Sequence, residues 1–338
     1  MYLDYINQLL KPQITEDVIV LDLFAGCGGL SLGFEAAGFK TIGYECVESA
    51  AETYNNNLKG HCYCDMLKVG YDYSEIDKID IVIGGPPCQP FSRIGNQKGI
   101  KDARDGFPIF IDAIARIRPK VFMFENVQNL LGRHKWYLEL ILEELRKLGY
   151  LVDYRVLNAV DYGVPQNRER LITVGYKSSF RFPMKETKKN TVGDAIGDLM
   201  KESDENSRFL TPEQDRYIAE YEKKSHCIKT RDLYADKPAR TLTCRNLAGA
   251  TSDMQRVRLP DGRRRRITQR EAARLQSFPD WFEFCGTETR QFTQIGNAVP
   301  PLLAYKLALS LKEAYHASAK SFSLIANTNR MVSGFFEL

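Results

Sequence analysis

The chain has 338 residues, 43% of them hydrophobic and 27% charged, with 24 Gly and 14 Pro. That length gives room for one large α/β domain plus a smaller one with ample core, and the composition excludes collagen-like, coiled-coil and wholly disordered classes. The formal net charge of +4 is modest, so where the charge sits says more about partners than its sum.

The N-terminal segment MYLDYINQLLKPQITEDVIV lacks the basic start and apolar run of a signal peptide, and no stretch approaches the ~18 apolar residues of a membrane span. A cytoplasmic protein without a membrane partner is expected. Eight cysteines then read as mostly buried thiols, not a disulfide framework. Cys62 and Cys64 form C-x-C with no second pair or histidine spacing, so no metal site is expected.

From about residue 18 to 175, short apolar runs alternate with helical patterns, the mark of a mainly parallel sheet with helices on both faces. Strands are expected at 18–21, 41–45, 79–83, 121–124, 151–157 and 171–174. Between them Leu30, Phe34 and Ala37 share a helical face that Gly38 stops. Pro108 opens a helix over 109–117 that Pro119 ends. Leu138, Ile141, Leu142, Leu145 and Leu148 form a stripe closed by Gly149. After about Pro183 the rhythm is lost until Pro301, Leu302, Leu303, Leu307 and Leu311 mark one more amphipathic helix.

Four motifs carry chemistry. In V-I-V-L-D-L-F-A-G-C-G-G a strand runs into a turn where Gly26, Gly28 and Gly29 let the backbone approach a ligand at a helix start. The dinucleotide fingerprint would need glycine where Ser31 stands, which argues against a nicotinamide cofactor. Glu45, ending the next strand, suits ribose hydroxyls, and Asp65 suits an adenine amino group, although a tight turn and a solvated acid are the plainer readings. In I-V-I-G-G-P-P-C-Q-P-F-S, glycines and prolines hold Cys88 on a stiff loop at the carboxyl edge of the sheet, a place for a nucleophile. A thiol with a pKa near ~8.5 needs a nearby cation or helix end to ionise at neutral pH.

Glu125 in F-M-F-E-N-V emerges at the same edge, where apolar surroundings would raise its pKa and let it donate a proton; a capping or ion-paired glutamate is the alternative. Arg168 and Arg170 in Q-N-R-E-R-L fall on alternate positions and face one side, able to hold a carboxyl, phosphate or base edge, or to pair on the surface with Glu169 or Asp161.

These blocks, followed by R-R-I-T-Q-R-E-A-A-R-L-Q-S-F-P-D and Q-I-G-N-A-V-P-P, resemble in kind and order the DNA cytosine-5 methyltransferase family of the bacterial restriction-modification type. The resemblance implies a Rossmann-like S-adenosylmethionine-dependent methyltransferase fold with a small target-recognition domain. It also implies methyl transfer to C5 of a cytosine flipped out of double-stranded DNA, with S-adenosylhomocysteine as co-product. By motif position, Cys88 would add to C6 and Glu125 would protonate N3. Arg168 would hold the cytosine carbonyl with Arg170 in support, and Asn126 and Val127 would build the base pocket with Gln89 and Ser92 near the DNA. Cofactor contacts carried over are Phe24, Ala25, Gly26, Gly28, Gly29, Glu45, Cys46, Asp65, Met66, Pro87 and Asn297. The family often has a large side chain packing on adenine after the ribose acid; here that residue is Cys46.

The resemblance divides the chain into a catalytic and cofactor-binding part (1–185), a target-recognition part with its hinge (186–280) and a return to the catalytic part (281–338). Thr241, in P-A-R-T-L-T, would lie near the target. Around Asp261-Gly262 the sequence reads as a hairpin, and from Gln255 to Arg270 there are seven arginines and one acid. The expectation is that about four arginines touch phosphates, with Arg245, Arg256, Arg258 and Arg263 as candidates. The implied protein is a nucleoid-associated monomer on DNA, with any cognate restriction endonuclease acting separately. A tRNA-directed relative would carry a Cys-Phe-Thr tripeptide absent here, and a non-catalytic relative would not need Cys88, Glu125 and Arg168 together.

Overall fold

The computed structural model describes residues 1–87, 105–205, 207–224, 226, 231–248 and 253–333, with side chains of the last helix described as far as 318. Cys88, Gln89 and Ser92 lie outside the described residues.

The chain opens with α1 (Tyr2–Leu9), β1 (Ile19–Leu23), α2 (Gly29–Ala36), β2 (Lys40–Glu45), α3 (Glu48–Asn57), β3 (His61–Cys64) and β4 (Ile81–Gly84). Next come α4 (Phe107–Ile117), β5 (Val121–Val127), α5 (Lys135–Lys147), β6 (Leu151–Asn158) and β7 (Glu169–Tyr176). Then follow α6 (Val192–Ile196), α7 (Pro212–Lys224), α8 (Cys244–Ala248) and the hairpin of β8 (Arg256–Arg258) and β9 (Arg264–Arg266). The chain returns through α9 (Gln269–Leu275), α10 (Glu288–Asn297) and α11 (Pro301–Ser333).

The first seven strands form one sheet in the order β3-β2-β1-β4-β5-β7-β6. β3, β2, β1, β4 and β5 pair in parallel, and β7 runs antiparallel between β5 and β6. The central strands are buried almost throughout, as a sheet covered on both faces requires, and their side chains alternate between two clusters. Val20, Ile81, Ile83, Val121 and Met123 join a cluster with α2, α9, α10 and α11, while Leu21, Leu23, Val82, Phe122 and Phe124 join one with α4 and α5.

The expected strands and helices are present with small shifts. β5 continues to Val127, so Glu125 and Asn126 lie within it. Pro108 sits in the first turn of α4, and Gly38 and Gly149, beyond the ends of α2 and α5, take positive φ. β3 is the strand the sequence did not announce: His-Cys-Tyr-Cys is short, and only Cys62 is buried. The hairpin about Asp261-Gly262 forms, with Arg256 opposite Arg266 and Gly262 at φ +89°.

The strand order reverses between β1 and β4, and open α/β sheets bind ligands at the carboxyl ends of strands beside such a reversal. The glycine turn follows β1 and the proline loop follows β4. Because β7 is antiparallel to β5, its start meets the end of β5, with Val127 opposite Arg170, and this puts Glu125 and Arg170 on the same edge.

Candidate active site and nucleic-acid interface

After β1 the backbone turns sharply: Phe24, Gly26 and Gly28 have φ of 62°, 55° and 84°. A left-handed Phe24 costs about 1 kcal/mol, the kind of strain that persists where neighbours over-determine a ligand loop. A Cβ on Gly26 would meet nothing within 4 Å, so the backbone faces open space there. Glu45 is turned toward this loop, with Oε2 accepting from Gly26 N at 2.9 Å and Oε1 from Val47 N at 2.8 Å. Asp65 follows β3 and its N–H donates to the Glu45 carbonyl, so the two acids stand side by side. The Asp65 carboxylate is held below its ordinary pKa by the Tyr71 hydroxyl, which donates to it at 2.5 Å, and by the Met66 N–H.

These residues fit a nucleoside-bearing cofactor. The turn is open, two acids sit at adjacent strand ends, and Glu45 Oε2 and both Asp65 oxygens keep a lone pair beyond the one bond each accepts. Cys46 is exposed and its thiol donates to Glu45 at 3.5 Å. Met66 is also exposed. Aromatic rings cluster nearby instead: the buried Tyr44 has its ring centroid 5.1 Å from Tyr63, 5.2 Å from Tyr71 and 5.9 Å from the buried Tyr73. The contact of Tyr71 with Asp65 was not visible in the sequence, since nothing in a tyrosine-rich turn says which hydroxyl reaches which acid.

Beneath the turn, Asp22 is buried and accepts from the Ser31 hydroxyl at 2.7 Å. Burial pushes its pKa up to about 7, against the lowering effect of Ser31, and its second oxygen has no partner among the described residues.

The proline loop is tied into this frame. Asn126 donates to the Pro86 carbonyl at 3.0 Å, and Gly106 N donates to the Pro87 carbonyl at 2.9 Å. A Cβ on Gly106 would sit 2.5 Å from Pro87 and 3.0 Å from the Phe24 ring, so the glycine turn and the residues leading to Cys88 adjoin. The Asn126 amide thus ties the end of β5 to the loop before Cys88, while Val127 is exposed.

Glu125 faces a guanidinium and not the all-apolar wall expected of it: its Oε1 lies 2.8 Å from Arg170 Nε, both side chains nearly buried. Arg168 and Arg170, expected to act side by side, differ in placement. Arg168 is 1% exposed and donates to the carbonyls of Leu242 at 2.8 Å, Gly296 at 3.2 Å and Ala298 at 2.9 Å. Burial, with the neighbouring Arg170, drops its pKa to about 9, and Glu125 opposes the drop. With no exposed face, Arg168 does not hold a substrate carbonyl; Arg170 is the arginine beside Glu125.

The arginine-rich hairpin also departs from expectation. Arg256 is 0% exposed, with its guanidinium between Asp232 at 2.6 Å and Glu222 at 2.9 Å, and has no face left for DNA. Arg264 pairs with Asp215 and Asp232, and Arg265 grips Glu271 through two nitrogens at 2.8 Å. Arg263 is half exposed, paired with Asp261 and lying 4.2 Å over the Phe209 ring. Arg258 and Arg245 are exposed. Thr241 is half-buried and donates to the Asn167 carbonyl at 2.7 Å.

The family model for C-5 cytosine-specific DNA methylases matches residues 18–313. The chain is 58% identical to the Type II methyltransferase M.AplI of Arthrospira platensis, over 92% of this chain and 91% of that protein. It is 36% identical to the Type II methyltransferase M.XorII of Xanthomonas oryzae pv. oryzae, over 85% and 82% of the two chains. A triple mutant of Spodoptera frugiperda DNMT2 shares the fold with a TM-score of 0.70 at 16% identity, over 87% of this chain and 99% of that one. The chain belongs to the C-5 cytosine-specific DNA methylase family. Its reaction is methylation of cytosine at C5 in DNA.

Proposed function

We propose that this enzyme methylates one cytosine within a short duplex sequence, as the modifying partner of a type II restriction system, through a covalent adduct between Cys88 and C6 of a flipped cytosine. The observation that supports this reading best is the Glu125–Arg170 pair, held at the strand edge whose next residue, Asn126, fixes the Pro86 carbonyl two positions before Cys88.

C5 of cytosine is a poor nucleophile, and adding a thiolate to C6 makes it enamine-like. Glu125 holds or donates a proton at N3, so that the charge developing on the ring is neutralised as the Cys88–C6 bond forms. Arg170 orients that carboxyl and offers its remaining N–H groups to the cytosine carbonyl. S-adenosylmethionine supplies the methyl group when bound. The glycine turn at Gly26 to Gly29, Glu45 and Asp65 hold its nucleoside part beside the proline loop. Once C5 carries the methyl group, loss of the C5 proton to a base returns an electron pair to the ring and expels the Cys88 thiolate. The part of the chain from 186 to 280 presents Thr241, Arg245 and Arg258 to the DNA.

Bisulfite sequencing of plasmid DNA from methylation-free cells expressing the chain tests this reading. Protected cytosines confined to one short sequence, and lost with Cys88→Ala, are expected. A folded wild-type protein that protects no cytosine would contradict it.

A further inference from the structure

Arg168 lies where two segments meet its own. The first is the stretch from Ala239 to Thr243, in the expected target-recognition part. The Asn167 N–H donates to the Ala239 carbonyl at 2.8 Å, the Gln166 side-chain oxygen accepts from Leu242 N at 2.8 Å, and Arg168 takes the Leu242 carbonyl. The second is the strap from Gly296 to Val299, whose Gly296 and Ala298 carbonyls face the same guanidinium. Gln276, just past the end of α9, supports both, accepting from Gln166 at 2.7 Å and donating to the Ile295 and Ala298 carbonyls.

The strap is squeezed between the other two parts of the site. A Cβ on Gly296 would meet Cys244 N at 2.4 Å, so its backbone lies flat on the target-recognition segment. One step along, a Cβ on Gly29 would meet the Val299 carbonyl at 2.7 Å and the Ala298 side chain at 3.1 Å, so the strap also lies flat on the glycine turn. Asn297 is exposed between the two carbonyls that Arg168 holds. No carboxylate faces Arg168 directly: among the described residues its hydrogen-bond partners are carbonyls, and its Nε has none. A buried charge satisfied by backbone oxygens from two segments fixes their mutual position, because moving either one strands a charged donor in an apolar site.

We propose that Arg168 is a positioning residue that couples DNA engagement to cofactor binding. When the 239–243 segment settles on DNA, the shared guanidinium holds the Gly296 to Ala298 strap, and with it Asn297, in place on the glycine turn. This rests on the reading of the site given above. Linkage requires the effect to be reciprocal, so bound DNA tightens the cofactor by the factor by which the cofactor tightens DNA.

The test is the dissociation constant of S-adenosylhomocysteine, by calorimetry, without and with a duplex bearing the site mapped by bisulfite sequencing. For the wild type a ratio of roughly ten is expected, within the usual range of such couplings. In Arg168→Lys, which keeps the charge but loses the planar fork, the ratio falls to within about twofold of unity while affinity for S-adenosylhomocysteine alone changes little. Gln276→Met, an uncharged change in the same knot, lowers the ratio in the same direction and serves where Arg168→Lys fails to fold. A wild-type ratio of one, or a full ratio in a folded variant, overturns the proposal. A wild type that methylates no DNA instead overturns the functional reading beneath it.

Discussion

At the carboxyl edge of the sheet, Glu45, Asp65 and the Glu125–Arg170 pair sit at or beside strand ends. In the β8–β9 hairpin, Arg256, Arg264 and Arg265 face inward onto Asp232, Glu222, Asp215 and Glu271. Both regions look functional as sequence, one by motif and one by charge. They differ in how the backbone disposes of its polar groups. Parallel strands satisfy their own hydrogen bonds and leave their end loops free to bind, whereas a small hairpin of two three-residue strands has little apolar surface and is held together by ion pairs. A run of basic residues therefore measures DNA contact only after its internal acids have been counted.

Breaking the first region has the largest expected effect. Glu125→Gln keeps the side-chain shape and should lower single-turnover methylation by about 10²–10⁴-fold, the usual contribution of a general acid. The variant should still bind S-adenosylhomocysteine normally, as checked by calorimetry. In the second region, Arg256→Met leaves Asp232 and Glu222 facing an apolar side chain and should cost about 3–5 kcal/mol in urea unfolding, as for a broken buried pair.

Asp22 sharpens the contrast inside the first region. Its folded pKa, about 7, lies above its unfolded value near 3.8, so its stabilising contribution is complete below about pH 4 and is lost as the pH rises through 7. Over that window the loss is at most about 4 kcal/mol. Asp22→Asn should flatten the fall in stability between pH 4 and 7 in urea titrations at several pH values; an unchanged slope would mean that Asp22 ionises normally. The smallest effect belongs to the exposed Arg258. Arg258→Ala should leave unfolding unchanged, weaken duplex binding several-fold and reduce the salt dependence of log Kd by about one contact.

The sheet was legible because apolar runs and glycine or proline stops recur at the right spacing, and the glycine turn, Glu45, Asp65 and Glu125 fall where their motifs place them on it. Their roles with DNA and cofactor rest on the proposed mechanism. What the sequence concealed is long-range. Arg256 finds its acids 24 and 34 residues away, and Arg168 finds its carbonyls 74, 128 and 130 residues away. Two arginines on alternate positions read as equivalent until the fold buries one and leaves its neighbour beside Glu125. Backbone carbonyls carry no signature in a sequence, so a guanidinium that serves them cannot be told from one that serves a substrate.

The covalent role of Cys88 is tested most directly with a duplex in which the mapped cytosine is replaced by 5-fluorocytosine. Fluorine at C5 cannot leave as a cation, so the adduct cannot resolve after methyl transfer. Incubation with S-adenosylmethionine should give a protein–DNA complex that survives denaturing electrophoresis, and Cys88→Ala should give none. A stable complex that persists in Cys88→Ala, or a wild type that methylates the normal duplex yet never traps the fluorinated one, would contradict the mechanism.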